Sequence, residues 1–275
     1  MSHSEGTPAP NGLVHTGAAD APPPFEALLD YEPGPGELSH RNILVTGAAH
    51  GIGHAVAAAC ARHGANTILV DVDERGLEAA YDAFVDARWP QPALCPMDLG
   101  RCGIEDFRTV AAHIGEQYGR LDGLVNHAGW IGALSPFEYT DPSVWGQALN
   151  VNLAAPFFLT QWCMPLLRRA DDPAVVFSLH DVQRAHWGGY GVAKAGLEGL
   201  ARMLGDEYHA ASPHPLRVTG IDTGPVMTAE RRRHYPGEQP GTHPAPEDVV
   251  GPYLYALGPD AGAATRHLLR RASPA

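Results

Sequence analysis

The sequence predicts an α/β fold, a doubly wound parallel sheet of about seven strands forming a single domain behind an N-terminal leader. Three observations carry that expectation. Short β-rich apolar runs alternate with helical periods along most of the chain. The runs are nearly continuously apolar, as strands covered on both faces must be. A glycine-rich turn separates the first run from the first helical period. With 275 residues and 44% hydrophobic content, the chain can bury one substantial core.

Taken in order, residues 1–38 are rich in Pro, Gly, Ala and Ser without a sustained apolar period, and read as a flexible leader to a domain at 39–275. Pro33 and Pro35 cannot continue a helix, although the apolar patch at 25–29 can dock as a short helical turn. Strands are expected at 42–45, 67–70, 93–96, 123–126, 174–178, 217–221 and 265–269. The helical periods between them fall at 52–62, 75–88, 104–118, 144–169, 190–209 and 247–256. No internal repeat occurs at solenoid periods.

Composition narrows the function classes. Thirty-one acidic against 19 basic residues give a formal charge of −12, which repels phosphate backbones and anionic membrane surfaces, so neither nucleic acid nor membrane is an expected partner. The opening MSHSEGTPAP has no basic or apolar targeting region, and no uncharged apolar run is long enough to span a bilayer; the expectation is a cytoplasmic protein. Cys60, Cys95, Cys102 and Cys163 form no C-x-x-C pair and are expected to be reduced. The 15 histidines are scattered without ligand spacing, so no metal site is expected.

The first expected strand runs into Thr46-Gly47-Ala48-Ala49-His50-Gly51-Ile52-Gly53 and then a helix. Gly47 permits the tight turn. Gly51 and Gly53, with Ile52 between them, let backbone N–H groups and the helix N-terminus approach a pyrophosphate. The second strand ends at Asp71, the distance at which a dinucleotide fold places its ribose-binding acid. A carboxylate there accepts from the adenosine ribose hydroxyls and repels a 2′-phosphate, so NAD is preferred to NADP. His50 is the basic residue of the loop, available to a phosphate. Asp73 reads as an ordinary cap.

Downstream stand Asn126-His127-Ala128-Gly129 after the fourth strand, Asn152 in Val151-Asn152-Leu153, and Tyr190-Gly191-Val192-Ala193-Lys194 opening a helix. Residues four apart on a helix are neighbours, so Lys194 is expected near Tyr190, lowering the phenol's pKa. Together with the glycine turn, these motifs resemble those of the short-chain dehydrogenase/reductase family, from about Arg41 to the C-terminus. Arg120-Leu121-Asp122-Gly123 and Arg184-Ala185-His186-Trp187-Gly188-Gly189 resemble a bacterial subgroup.

The resemblance implies a Rossmann-type fold and an oxidoreductase that interconverts an alcohol and a carbonyl. Tyr190 would be the general acid or base, Lys194 would hold the nicotinamide ribose, and Asn152 would anchor a proton-relaying water. Asp98 and Leu99 would flank the adenine. Asn126, Ala128 and Gly129 would line the cofactor cleft, and Gly224, Val226 and Thr228 would belong to the loop over the carboxamide. It also implies a homo-oligomer built through the long helices and a small-molecule substrate.

The chain departs from the family pattern. His127 replaces an asparagine, Ala155 a glycine and Thr223 a proline, and the C-terminal tail lacks the usual glycine pair. The expected catalytic serine has two claimants. Counting back from Tyr190 points to Ser178; aligning the apolar run at 174–177 puts His180 in the serine's place, where a neutral imidazole can donate the same hydrogen bond and add a pH limb near 6.5. A module that binds a dinucleotide without turnover, acting through partners, is the alternative reading. Arg231, Arg232 and Arg233, in a segment at 229–246 expected to cover the substrate, read as a solvated charge run, with attraction of an anionic group as the other reading.

Overall fold

The computed structural model describes residues 22–209, 212–262 and 266–272. Seven strands, β1 (Asn42–Thr46), β2 (Asn66–Asp71), β3 (Ala93–Pro96), β4 (Gly123–Asn126), β5 (Ala174–Ser178), β6 (Arg217–Asp222) and β7 (Arg266–Arg270), form one parallel sheet. Their order is β3-β2-β1-β4-β5-β6-β7. The order reverses between β1 and β4, which opens a crevice at the carboxyl ends of these strands.

Alternating side chains serve two cores. Ile43 and Val45 of β1, with Leu69, Val125, Val176 and Ile221, pack beneath α1 (Gly51–Arg62) and α2 (Glu74–Asp86). Leu44, Ile68, Leu124, Val175 and Phe177 point to the other face, against α3 (Ile104–Tyr118), which supplies Phe107 and Ile114. Both faces are therefore apolar, which is why the strands read as unbroken apolar runs. Asp73 caps α2 by accepting from the Gly76 N–H at 3.2 Å.

The single helix expected at 144–169 is two helices, α4 (Pro142–Leu149) and α5 (Ala155–Leu167), joined by a π-turn at Asn150–Ala154. Pro156 removes one backbone donor at the start of α5. Asn152 turns its side-chain amide onto the Ala148 carbonyl at 2.8 Å, and such wide turns gather at functional sites. Further on, α6 (Gly188–Glu207) begins two residues before Tyr190. A short α7 (Ala229–His234) lies in the segment read as a loop, and the expected helix at 247–256 splits into a 3₁₀ turn (Pro246–Val249) and α8 (Gly251–Leu257). The expected first residue of the last strand, 265, lies outside the described residues, as do 1–21 of the leader.

The remainder of the leader is not loose. Phe25 and Leu28, in a 3₁₀ turn, and Leu38 are buried in the core beside α8. Gly251 permits the closest approach: a Cβ there would run into the Leu28 carbonyl oxygen. Packing therefore starts well before residue 39.

Candidate active site

The crevice holds a cavity of about 740 Å³, lined at one end by Gly47, His50, Gly51, Ile52 and Asp71 and at the other by His180, Trp187, Tyr190 and Lys194. That size suits a drug-sized or dinucleotide ligand.

At the first end the backbone does the building. Gly47 and Gly51 have φ of +70° and +58°, conformations that favour glycine. Gly53 is required for packing, since a Cβ on it would collide with the Gly47 carbonyl. Asp71, closing β2, accepts from the Ala49 N–H and the Asp73 N–H, both at 3.0 Å. A carboxylate has about four lone-pair sites, so capacity remains on Asp71 for a ligand. His50 Nε2 lies 2.6 Å from an Asp73 carboxylate oxygen. The Thr46 hydroxyl accepts from the amides of His127 and Ala128, both at 3.0 Å, and ties the turn after β4 to β1.

At the other end, Tyr190 Oη lies 3.1 Å from His180 Nδ1, with the Trp187 ring packed against both rings. Lys194, one turn along α6, donates to the Ser178 carbonyl at 2.8 Å, and its Nζ sits 5.6 Å from the Tyr190 ring centre. Asn152 faces a backbone segment, accepting from the Trp130 N–H at 3.1 Å and donating to the Trp130 carbonyl at 2.8 Å. In this way the π-turn pins the strand-end loop after Gly129.

Between the two claimants to the serine's place, geometry separates the roles. Residues 178 and 180 alternate to the same side of the extended chain, so both face the cavity. His180 meets Tyr190. Ser178 does not: its hydroxyl is held between His127 Nδ1 and Tyr253 Oη, each at 2.9 Å.

Burial sets the charge states. Desolvation, with repulsion from Lys194, lowers the His127 pKa to about 3. Desolvation lowers His180 to about 4, although the Asp222 carboxylate pulls the other way. The imidazole is therefore neutral across the physiological range, and the pH limb expected near 6.5 moves down. Lys194 falls to about 8 by burial, again opposed by Asp222. The phenol of Tyr190, expected to be lowered by Lys194, is instead raised, first by burial and then by Asp222 and Glu230; in this dry site the desolvation of a phenolate outweighs a neighbouring ammonium.

Asp222, at the end of β6, is the functional group that the sequence reading passed over. It is buried, accepts from the Asp181 N–H and from the Gly224 N–H, both at 3.0 Å, and pairs with Arg270. It thus fixes both the loop bearing His180 and the loop at 223–228. Nothing in its local sequence marks it; only the departure at Thr223 lies beside it. His127 and Tyr253 were also missed as partners of Ser178, although His127 stood out as a departure.

The remaining expected residues divide. Ala128, Gly129, Gly224, Val226 and Thr228 line the cavity, Gly224 at a φ of +62° and Thr228 as the cap of α7, accepting from the Arg231 N–H at 3.1 Å. Asp98, Leu99, Asn126, Gly53 and Asn152, expected at the cofactor or catalytic site, are not among the residues that line it. Asn126 donates to the Thr160 hydroxyl at 3.0 Å, and Asp98 accepts from the Gly100 N–H at 3.0 Å.

This arrangement agrees with the comparisons. Residues 41–239 match the family model described as short chain dehydrogenase. The chain belongs to the short-chain dehydrogenase family. It is 36% identical to YciK, an uncharacterised oxidoreductase of Escherichia coli K12, over 84% of this chain and 92% of that protein. A short-chain dehydrogenase structure from Pseudomonas syringae superposes with a TM-score of 0.83 at 39% identity, covering 88% of this chain and 99% of that one. Another, from Escherichia coli CFT073 and complexed with NADPH, gives 0.80 at 36% identity over 86% and 98%. The fold, the family and an oxidoreductase built for a dinucleotide follow. Among the described residues no helix is long and apolar enough to cross a membrane.

Proposed function

We propose that this short-chain dehydrogenase interconverts a small-molecule alcohol and its carbonyl with a nicotinamide dinucleotide, NAD in preference to NADP, using Tyr190 as general acid in reduction and general base in oxidation. The observation that carries the reading is Tyr190 Oη held 3.1 Å from His180 Nδ1 in the wall of the same cavity as the Gly47–Gly51 turn and Asp71.

The residues present fit a dinucleotide. Positive φ at Gly47 and Gly51 and the start of α1 make a cradle for a pyrophosphate. Asp71 retains acceptor capacity for ribose hydroxyls, and Lys194 is placed to hold the nicotinamide ribose. When bound, the cofactor gives or takes the hydride.

The rest is the work of this chain's side chains. In reduction, the Tyr190 hydroxyl gives its proton to the substrate oxygen, and in oxidation it takes one back. A neutral His180 that donates Nδ1–H to Tyr190 Oη leaves the phenol proton free for the substrate, the orienting part expected of a serine. Lys194, still cationic at pH 7, stabilises the phenolate that forms. Asn152 holds the Trp130 backbone, and the π-turn around it is the proposed anchor for a relay water.

Two structures similar to this chain were complexed with NADP or NADPH, and Asp71 favours the other cofactor here. A 2′-phosphate beside that carboxylate is repelled, Val72 supplies no cation, and His50 is committed to Asp73. Self-association through the long helices finds support in an apolar hollow formed by Leu149, Leu153, Phe157 and Leu200.

The test is binding of NADH and NADPH by fluorescence beside their oxidation over a carbonyl panel. Turnover with NADH at lower KM than NADPH is expected. Tight binding without turnover on any carbonyl overturns the reading in favour of a binding module.

A further inference from the structure

Among the described residues, three arginines line the cavity: Arg184, Arg231 and Arg233. Two are committed. Arg231 makes a paired contact with the Glu238 carboxylate at 2.7 and 2.5 Å and stacks on Tyr235, and Arg233 pairs with Glu230 at 3.1 Å. Arg184 is different, for no carboxylate among the described residues pairs with its guanidinium.

Its place in the chain matters. Arg184 sits between His180 and Tyr190, in the stretch that sequence reading set apart and that the proposed reaction leaves without a role. Its N–H donates to the Val182 carbonyl at 2.8 Å and its own carbonyl accepts from Trp187 at 3.4 Å, so the backbone is fixed while the side chain stands exposed at the rim. Its charge is felt at the His180 imidazole, as are those of Lys194 and Arg231. It therefore serves the catalytic end of the cavity, across from Asp71 and the glycine turn.

In a molecule with a formal charge of −12, a guanidinium without a carboxylate partner at the rim of this cavity is available to an anion. Arg is also the side chain whose fork matches a carboxylate with two parallel hydrogen bonds. Trp187, whose N–H donates to the Arg184 carbonyl and which lines the same cavity, offers an apolar wall for a carbon chain.

We propose that Arg184 is the specificity residue for an anionic substrate, a small oxo acid or hydroxy acid whose carboxylate it receives while Tyr190 meets the reacting oxygen. The inference rests on the oxidoreductase reading above and deepens it by naming the substrate class. Redox chemistry is unchanged: hydride and proton add across the carbonyl, and the carboxylate is a handle that takes no part.

The test compares 2-, 3- and 4-oxo acids with their methyl esters as NADH-dependent substrates of the wild-type protein, in Arg184→Gln and in Arg184→Lys, with NADH affinity measured on every sample. At least one acid should exceed its ester in kcat/KM by tenfold or more. In Arg184→Gln that ratio should fall toward one through KM, in Arg184→Lys it should be partly kept, and the NADH Kd should stay within threefold. Esters turned over as well as acids by the wild type overturn the inference while leaving the oxidoreductase reading intact. A Kd for NADH that rises in step with KM assigns Arg184 to cofactor phosphate and also overturns it. If none of these acids or esters is turned over, quenching of tryptophan fluorescence by the same compounds decides the anion site separately from the oxidoreductase reading: saturable quenching by an acid and not its ester supports it, and equal or absent quenching overturns it.

Discussion

The two ends of the cavity are built in different ways. The end at Gly47–Gly53 is made of backbone: positive φ at Gly47 and Gly51, a helix start, and Asp71 braced by the amides of Ala49 and Asp73. The end at Tyr190 is made of side chains gathered from the ends of β4, β5 and β6 and from α6: His127, His180, Asp222 and Lys194. A backbone site tolerates few changes, because only glycine occupies those conformations without strain. A side-chain site can be rebuilt residue by residue, and here an imidazole stands beside the tyrosine. The first end should therefore fail by losing cofactor and the second by losing rate.

The largest separation is expected from Tyr190→Phe. Removing the proton donor should lower turnover by about 10² to 10⁴, while NADH affinity by fluorescence titration stays within about twofold. A variant of full activity contradicts the assignment of the second end.

Next comes the pair His180→Ala and Ser178→Ala. Loss of the imidazole beside Tyr190 should cost about 10² in kcat with little change in Tm. Ser178→Ala leaves His127 and Tyr253 without their shared partner and should cost about 1–3 kcal/mol of stability in a denaturant titration, with kcat falling far less. The reverse pattern moves the serine's role back to Ser178.

At the first end, Asp71→Arg replaces repulsion of a 2′-phosphate by attraction and should shift the NADPH to NADH ratio of kcat/KM by about tenfold or more toward NADPH. An unchanged ratio removes Asp71 from the ribose.

A further effect is on stability at acid pH. His127 and His180 titrate in the fold at about 3 and about 4, below their ordinary value near 6.5. Below that value the unfolded chain binds protons that the native state refuses, so each group's contribution is full above about pH 6.5 and is lost as pH falls toward 4 and then 3. Well below pH 6.5 the slope approaches about 1.4 kcal/mol per pH unit for each histidine. Unfolding free energies at pH 7 and pH 5 should differ less in His127→Asn than in the wild type; equal differences place His127 in water.

How much of this was legible follows the same division. The sheet, its seven strands and the glycine turn were readable because apolar periodicity and glycine spacing are local properties. Asp71 was readable for the same reason, lying at a fixed distance along one βαβ unit. The break of 144–169 at Asn152 was not, since the Trp130 backbone that holds the side chain lies 22 residues away. Asp222 was invisible because its partners come from elsewhere in the chain, Asp181 from the loop after β5 and Arg270 from β7. His180 was reached only as one of two claimants: the strand-end count leaves Ser178 and His180 both open, and only the fold shows that it is His180 whose Nδ1 lies 3.1 Å from Tyr190 Oη.

The central claim, that this cavity carries hydride between a dinucleotide and a carbon bearing oxygen, is tested most directly by isotope transfer. NADH deuterated on one face of C4 is oxidised with a carbonyl substrate, and the alcohol is analysed by mass spectrometry. The account predicts one deuterium on the carbinol carbon from one of the two labelled faces and none from the other. Alcohol formed without label from either face, or no oxidation of bound NADH at all, contradicts it.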